Sequence, residues 1–479
     1  MRQNDFIKKK KVHLIGIAGR GMSALALMLK QKGFIVSGSN SSSSHNPFVN
    51  FLKKNGIKNL AFGYSPSNIS KDTSFIVISK HATLIPEENE EVAHAFKSGI
   101  KIQSLPEALG ELAKKTENTI IAGSFGKSTT TSLLAWCLKK SKKNPSYFIG
   151  AIPFGFKTNG HLGESKHFII EGDEYPSSNW DTRSKFLHLR PRNVILISAE
   201  HDHVNVFPTE KDYIRPYKKL ISLLPKNGIL VAAKEGKNIG EVIKNAKCKV
   251  VYYGFDKKST WHPENITYGQ ITSFDLFKGK NKIINLRTIL LGNHNIENIV
   301  GVGAFLLQRK LITPKELQKS IKSFRGVSGR LDLKTKKSSV LVYESFGSSY
   351  GKAKADFNAI KLHFPDKRIV TVFEPHTFSW RNKNTIHWYD NVFEDSNKTI
   401  ILSPPEHGKN THEQVILEKI LNRVKKYKEN VYGAVNKKEA LAKLHEIVKA
   451  DDLIILMSSG NMDGLIEKVP AWVEKKFPK

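Results

Sequence analysis

Cysteine is scarce in this chain, with Cys137 and Cys248 the two among 479 residues. They lie far apart in apolar or basic surroundings, give no zinc-module spacing, and fit a reducing, cytoplasmic setting. No stretch of about eighteen apolar residues occurs, so no membrane span is expected. The run Lys8-Lys9-Lys10-Lys11 before VHLIGIAG has the outline of a signal peptide. Arg20 and three glycines interrupt it, and a strand running into a glycine loop accounts for it better. Acidic residues are in deficit, 44 against 76 basic ones, leaving a net charge of +32. The lysines are scattered from Lys8 to Lys479, and no zinc-finger or RNP-type motif accompanies them. Neither nucleic acid nor a membrane is therefore expected as a partner, and the basic surface suits anionic, phosphate-bearing substrates instead. With 39% hydrophobic and 25% charged residues the composition is that of a soluble globular protein. The length suggests about three domains.

What is present is a repeated rhythm of apolar strand and amphipathic helix, the pattern of an α/β protein with parallel sheets. The first segment opens with Val12-His13-Leu14-Ile15 and the loop Gly16-Ile17-Ala18-Gly19-Arg20-Gly21, followed by a helix from Met22 to Lys32 and a strand Phe34–Ser37. Three glycines there let the backbone approach a diphosphate. The acidic residue expected after the second strand to hold a ribose is replaced by Asn40, a weaker hydrogen-bond partner. A boundary is expected near Glu111 to Glu117. The middle segment carries strands at Phe168–Ile170 and Val194–Ile197. The third segment carries Leu341–Tyr343, Arg368–Phe373, Ile400–Leu402 and Leu453–Met457, the makings of another doubly wound sheet.

Between the apolar run Thr119-Ile120-Ile121 and a helix containing Leu133, Leu134 and Leu138 lies AGSFGKSTTT, residues 122–131. Strand, glycine loop, lysine, hydroxyl, helix is the layout of a phosphate-binding loop. Its backbone N–H groups wrap phosphate oxygens, Lys127 reaches the β/γ-phosphates, and Ser128 can hold Mg²⁺. The spacing G-x-x-x-x-G-K-[ST] is not met, because position 121 is Ile, so a capped glycine turn stays open as the alternative. Acidic groups follow two strands, Glu171-Gly172-Asp173-Glu174 and Glu200-His201-Asp202-His203. Carboxylates at the carboxyl ends of strands beside such a loop are the usual Mg²⁺ ligands, with a solvated turn as the bland reading. The stretch Gly292–Asn298 sets three Asn and one His before an apolar helix, more than a cap requires.

These pieces in this order resemble the Mur ligase family, the ATP-dependent amide ligases of peptidoglycan synthesis, over nearly the whole chain. The family's loop is G-x-x-G-K-[ST], the spacing present here. Asp181-Thr182-Arg183-Ser184-Lys185-Phe186, Arg190-Pro191-Arg192, Glu200–His203, Phe373-Glu374-Pro375 and Met457–Gly460 look most like the branch that adds a murein tripeptide. The sister branch that adds L-alanine lacks the Arg-Ser-Lys-Phe element. The resemblance implies three domains: a Rossmann-like UDP-sugar domain over 1–113, a central ATP-binding P-loop ATPase-like α/β domain over 114–325, and a Rossmann-like domain over 326–479 for the amino or peptide substrate. It implies ATP and Mg²⁺ as cofactors. It places UDP-N-acetylmuramate at Gly16, Gly19, Gly21, Met22 and Asn40, and further substrate contacts at Arg183, Ser184 and Lys185. ATP falls to Gly123, Ser124, Gly126, Lys127, Ser128 and Thr129, with His294, Asn295 and Asn298 on the adenine side and Arg330 reaching the nucleotide. Ser128, Glu171 and His203 are implied metal ligands; Lys127, Glu171, His203 and Arg330 carry the chemistry. The expected reaction joins UDP-N-acetylmuramate to L-Ala-γ-D-Glu-meso-diaminopimelate through an acyl phosphate, in a cytoplasmic monomer or weak homodimer. L-alanine is the alternative donor.

One segment departs from the pattern. After Leu341-Val342-Tyr343 the family shows Asp-Asp, an aromatic, a small residue and His-His-Pro, whereas this chain reads Glu344-Ser345-Phe346-Gly347-Ser348-Ser349-Tyr350. A divergent active ligase and a non-catalytic binder of nucleotide or UDP-sugar are both compatible with that change.

Overall fold

The computed structural model describes residues 10–41, 46–202, 206–405 and 413–479. The chain divides into two compact units. One comprises residues 1–265, 274–287 and 297–324, the other residues 266–273, 288–296 and 325–479.

The larger unit opens with five parallel strands in the order Asn59–Phe62, Ile35–Asn40, Lys11–Ile15, Thr73–Ile78, Lys101–Ser104. Strand order reverses beside Lys11–Ile15, which opens a crevice at its carboxyl end, where ligands of such sheets bind. The loop 16–19 turns there and feeds the helix Arg20–Gln31. That helix buries Met22, Leu25, Ala26 and Leu29 against Val12, Leu14 and Val77 of the sheet.

The second sheet has ten strands. Its parallel core runs Lys249–Tyr253, Ile229–Ala233, Asn193–Leu196, Glu117–Ala122, His167–Glu171, Ser146–Phe148. Strand Glu117–Ala122 is buried on both faces, which its Ile120-Ile121-Ala122 run allows. Three strands not legible as such in the sequence, Trp261–Thr267, Thr272–Lys278 and Asn281–Thr288, extend one edge.

The second unit holds a six-stranded sheet, ordered Arg330–Leu333, Leu341–Ser345, Leu453–Met457, Ile369–Phe373, Lys398–Leu402, Val431–Ala434. The first pair is antiparallel and the rest parallel. Apolar clusters cover both faces, around Phe357, Phe373 and Trp380 on one and Leu444, Leu465 and Val469 on the other. No helix among the described residues is long and apolar enough to cross a membrane.

Candidate active site

The stretch 123–126 sits at the carboxyl end of Glu117–Ala122, between the ends of its two neighbours. Register pairs Ile121 with Glu171 on one side and Ala122 with Leu196 on the other. The loop is therefore flanked by segments 171–175 and 197–202. Two of its positions require glycine. Gly126 has φ +74°, and a Cβ there would lie 2.9 Å from Asn298 Oδ1. Gly123 has φ +149°, with Ile197 Cβ and Ser198 N both 3.0 Å from an added Cβ. Helix Lys127–Lys140 begins at Gly126 with no side-chain cap, so its first N–H groups are available to an anion.

Lys127 Nζ donates to the Gly123 carbonyl at 2.6 Å and to both Glu174 oxygens, at 3.1 and 2.9 Å. The pair is nearly dry, the side chains being 15% and 1% exposed. Burial works against the ammonium charge, but the Glu174 carboxylate outweighs it and pushes the lysine up. Ser128 Oγ donates to Glu171 Oε1 at 2.8 Å, and the Gly150 N–H donates to Glu171 Oε2 at 2.7 Å. Burial raises the Glu171 carboxyl against those two donors. Ser124 donates through Oγ to the Glu200 carbonyl at 2.6 Å and accepts from Tyr213 OH at 3.0 Å. Thr129 follows in the first turn of the same helix. Asp173, partly desolvated, is held below its usual range by Lys185, whose Nζ lies 2.6 Å from Oδ2.

The structure thus assembles Gly123, Ser124, Gly126, Lys127, Ser128, Thr129, Glu171 and Asn298 in one place, in the larger unit. His203 lies outside the described residues. The neighbouring His201 is occupied, its Nε2 2.7 Å from the Phe207 carbonyl. Of the tripeptide-type element, Lys185 faces Asp173 beside the loop. The Arg183 guanidinium is instead engaged by Asp181, and Ser184 is buried. Glu174 is the member that sequence reasoning passed over. It stood within the quoted acidic stretch, but no spacing rule sets it apart from Asp173.

At the first sheet, Gly16 has φ +79° and packs against Ser79, while an added Cβ at Gly19 would find nothing closer than 3.6 Å. Gly19 is therefore roomy on the protein's side, as a ligand-facing position should be. The Met22 side chain is buried in the core, so what Met22 offers a ligand is its backbone N–H at the helix start. Asn40 ends the strand Ile35–Asn40.

In the second unit, Asn295 Nδ2 donates to the Leu291 carbonyl at 2.7 Å and lies 3.1 Å from His294 Nε2. Burial, with His363 nearby, pulls His294 down to about 4. Arg330 stacks its guanidinium 4.4 Å from the Phe346 ring centre. Where the family pattern has its second Asp, Ser345 donates its hydroxyl to Asp356 on helix Tyr350–His363. Asp356 is buried and pushed up to about 6, with Ser345, Arg330 and Lys352 opposing. Glu344 pairs with Lys334 at 2.6 Å. At the ends of the next two strands Ser458 Oγ donates to Glu374 Oε2 at 2.5 Å, and Ser459 Oγ lies 3.1 Å from His376 Nδ1.

Strand, glycine loop, buried lysine and a hydroxyl facing a carboxylate define a nucleotide-binding α/β protein of the phosphate-loop type. Comparison with known proteins narrows this. The Mur ligase middle domain matches residues 121–306, and the domain described as "Mur ligase family, catalytic domain" matches residues 11–117. A UDP-N-acetylmuramate–L-alanine ligase of Clostridium acetobutylicum is 32% identical over 380 residues, 79% of either chain. The same fold is seen in the UDP-N-acetylmuramate–alanine ligase of Thermotoga maritima, with TM-score 0.77 and 20% identity over 97% of this chain and 99% of that one. A murein peptide ligase of Psychrobacter arcticus gives TM-score 0.68 and 20% identity, over 97% and 98%. The chain belongs to the Mur ligase family and is an ATP-dependent ligase that forms an amide bond.

Proposed function

We propose that this ligase joins L-alanine to the lactyl carboxylate of UDP-N-acetylmuramate. The observation that carries the choice of donor is the 32% identity to an L-alanine ligase over 79% of the chain. A second reading, a murein tripeptide as donor, rests on the stretch Asp181–Phe186, whose Lys185 reaches the acidic segment beside the ATP loop.

In this reading residues 1–113 hold the UDP-sugar, 114–325 hold ATP and 326–479 receive the amine. The UDP diphosphate lies on Gly16–Gly21 and the helix start behind it. ATP lies on Gly123–Thr129, with Asn298 beside Gly126; the nucleotide roles of His294, Asn295 and Arg330 rest on the family pattern alone. Ser128 Oγ and Glu171, 2.8 Å apart, form an all-oxygen donor set suited to Mg²⁺, and His203 joins them by its place in the family pattern. Mg²⁺, when bound, neutralises phosphate charge. The carboxylate oxygen attacks the γ-phosphorus and ADP leaves. The donor amine attacks the resulting acyl phosphate, and the tetrahedral intermediate expels inorganic phosphate as the amine loses its proton. Lys127 offsets the repulsion between carboxylate and triphosphate, the step at which two anions must meet.

The test is phosphate release with ATP, Mg²⁺ and UDP-N-acetylmuramate, comparing L-alanine with L-Ala-γ-D-Glu-meso-diaminopimelate. Turnover with L-alanine and a UDP-muramoyl-alanine product is expected. Turnover that requires the tripeptide hands the assignment to the second reading.

A further inference from the structure

A lysine outside the ion pairs described above stands on the segment that links the two glycine loops of the larger unit. Strand Thr73–Ile78 lies beside Lys11–Ile15 and forms the other wall of the crevice in the first sheet. The chain leaves that strand through Ser79, Lys80 and His81. The Ser79 N–H donates to the Ile15 carbonyl at 3.0 Å, and a Cβ added to Gly16 would come 2.8 Å from Ser79 Cβ. Lys80 therefore follows directly on the residue that packs against the first loop. The same turn is held from the second sheet. Asn179 Nδ2 donates to the His81 carbonyl at 2.8 Å and to the Leu84 carbonyl at 3.0 Å. Asn179 belongs to the segment that also carries Asp173, Glu174 and Lys185.

Charge is out of balance at this junction. Asp173 is engaged by Lys185, whose Nζ is 2.6 Å from Oδ2, and Glu174 is engaged by Lys127 at 2.9 Å. Lys80 lies close enough to Lys185 and Asp173 to feel both charges. Partial burial and the Lys185 ammonium pull it down, with Asp173 opposing. No carboxylate among the described residues forms an ion pair with Lys80. Two ammonium groups thus face one carboxylate, and the spot is short of one anion. Gly16, Ser79, Lys80, Asp173 with Lys185, and Glu174 with Lys127 form a line from one glycine loop to the other.

We propose that Lys80 binds the carboxylate of the acid substrate and holds it for attack on the γ-phosphate, an inference that rests on placing the UDP-sugar at Gly16–Gly21 and ATP at Gly123–Thr129. A substrate whose diphosphate sits on the first loop must follow this line to bring its carboxylate to the second. Its two phosphates stay with the glycine loop, and Lys127 faces the triphosphate. The lactyl carboxylate is the anion left for Lys80. An ammonium on the substrate's side then offsets part of the repulsion that Lys127 offsets on the nucleotide's side.

The test compares two ligands that differ at the carboxylate, UDP-N-acetylmuramate and UDP-N-acetylglucosamine, the second lacking the lactyl group. Isothermal titration of the full-length parent is expected to show at least about tenfold preference for the first, the size of one charge-assisted contact. In Lys80→Gln the preference should fall to near unity, with Tm and UDP-N-acetylglucosamine affinity unchanged. Its kcat/KM for UDP-N-acetylmuramate should drop about tenfold while KM for ATP holds. Lys80→Arg, which keeps the charge, should keep the preference. So should Lys71→Gln, which removes the same charge at the far end of strand Thr73–Ile78. A preference that survives in Lys80→Gln, or is absent from the parent, overturns the inference and leaves the loop assignment standing. A raised KM for ATP with the preference intact also overturns it, by assigning Lys80 to the nucleotide. Binding of neither UDP-sugar to the parent overturns the loop assignment itself, and the inference with it.

Discussion

Lys127 makes a structural contact besides the phosphate role proposed for it. Read from the sequence, it is a loop lysine whose loss should cost little stability. The structure places it against Glu174, which is 1% exposed, so truncation strands a carboxylate in a dry site. Lys127→Ala is therefore expected to lower stability by roughly 3–5 kcal/mol, measured by urea unfolding, and to slow ligation by about 2–4 kcal/mol in barrier, roughly one and a half to three decades. The double variant Lys127→Ala/Glu174→Ala should recover most of the stability and none of the activity. Recovery of activity would mean that the lysine serves the fold and not the phosphates. The loop lysine was legible because its chemistry is tied to a spacing. Glu174 was not, because its partner is forty-seven positions away.

At the scale of elements, strands that are buried on both faces announced themselves. Leu453–Met457 and the core of His167–Glu171 stand where their apolar runs place them. Strands Trp261–Thr267 and Asn281–Thr288 did not, because their exposed positions carry Asn, Thr, Lys and Arg and no apolar run longer than Ile283-Ile284 remains. Glycine loops were legible as loops, but which glycine serves the backbone and which the ligand needed coordinates. Gly16→Val is expected to destabilise the chain, since a positive φ and Ser79 both oppose it. Gly19→Val should fold with near-parent Tm, lose UDP-N-acetylmuramate affinity by isothermal titration, and keep ATP affinity. Equal UDP-sugar binding by Gly19→Val would remove the diphosphate from this loop. Helix Tyr350–His363 makes a further prediction. The Asp356 carboxyl rises from 3.8 to about 6 on folding, so between those values the folded chain holds a proton that the unfolded chain has released. The stability this confers is complete below about pH 4 and is lost as pH rises through about 6, amounting to roughly 3 kcal/mol. Asp356→Asn should match the parent near pH 4 and exceed it by about 2–3 kcal/mol near pH 7.5 in urea titrations. A pH-independent difference would show that Asp356 ionises normally.

Across the whole molecule, the excess of 32 positive charges is spread over the sequence rather than gathered in one block. Its expected effect is long-range attraction of polyanionic substrates, which salt screens. KM for ATP and for the UDP-sugar should rise several-fold between about 0.02 and 0.2 M salt, with kcat nearly constant. A kcat that falls while KM holds would place the charge effect in the chemistry instead.

With ATP on this loop, as proposed, the Lys127–Glu174 contact bears on the end of each catalytic cycle. A phosphate loop with a bare lysine is a trap for the inorganic phosphate that ligation releases. Here Glu174 acts as a resident rival for that lysine, 2.9 Å away and already desolvated. A lone phosphate merely trades one ion pair for another, and gains little by staying. A triphosphate also engages the amides of the loop and of the first helical turn, and so can outbid the carboxylate. On that assignment the loop favours a ligand that occupies several of its groups at once over a lone phosphate, which would ease release of the inorganic product.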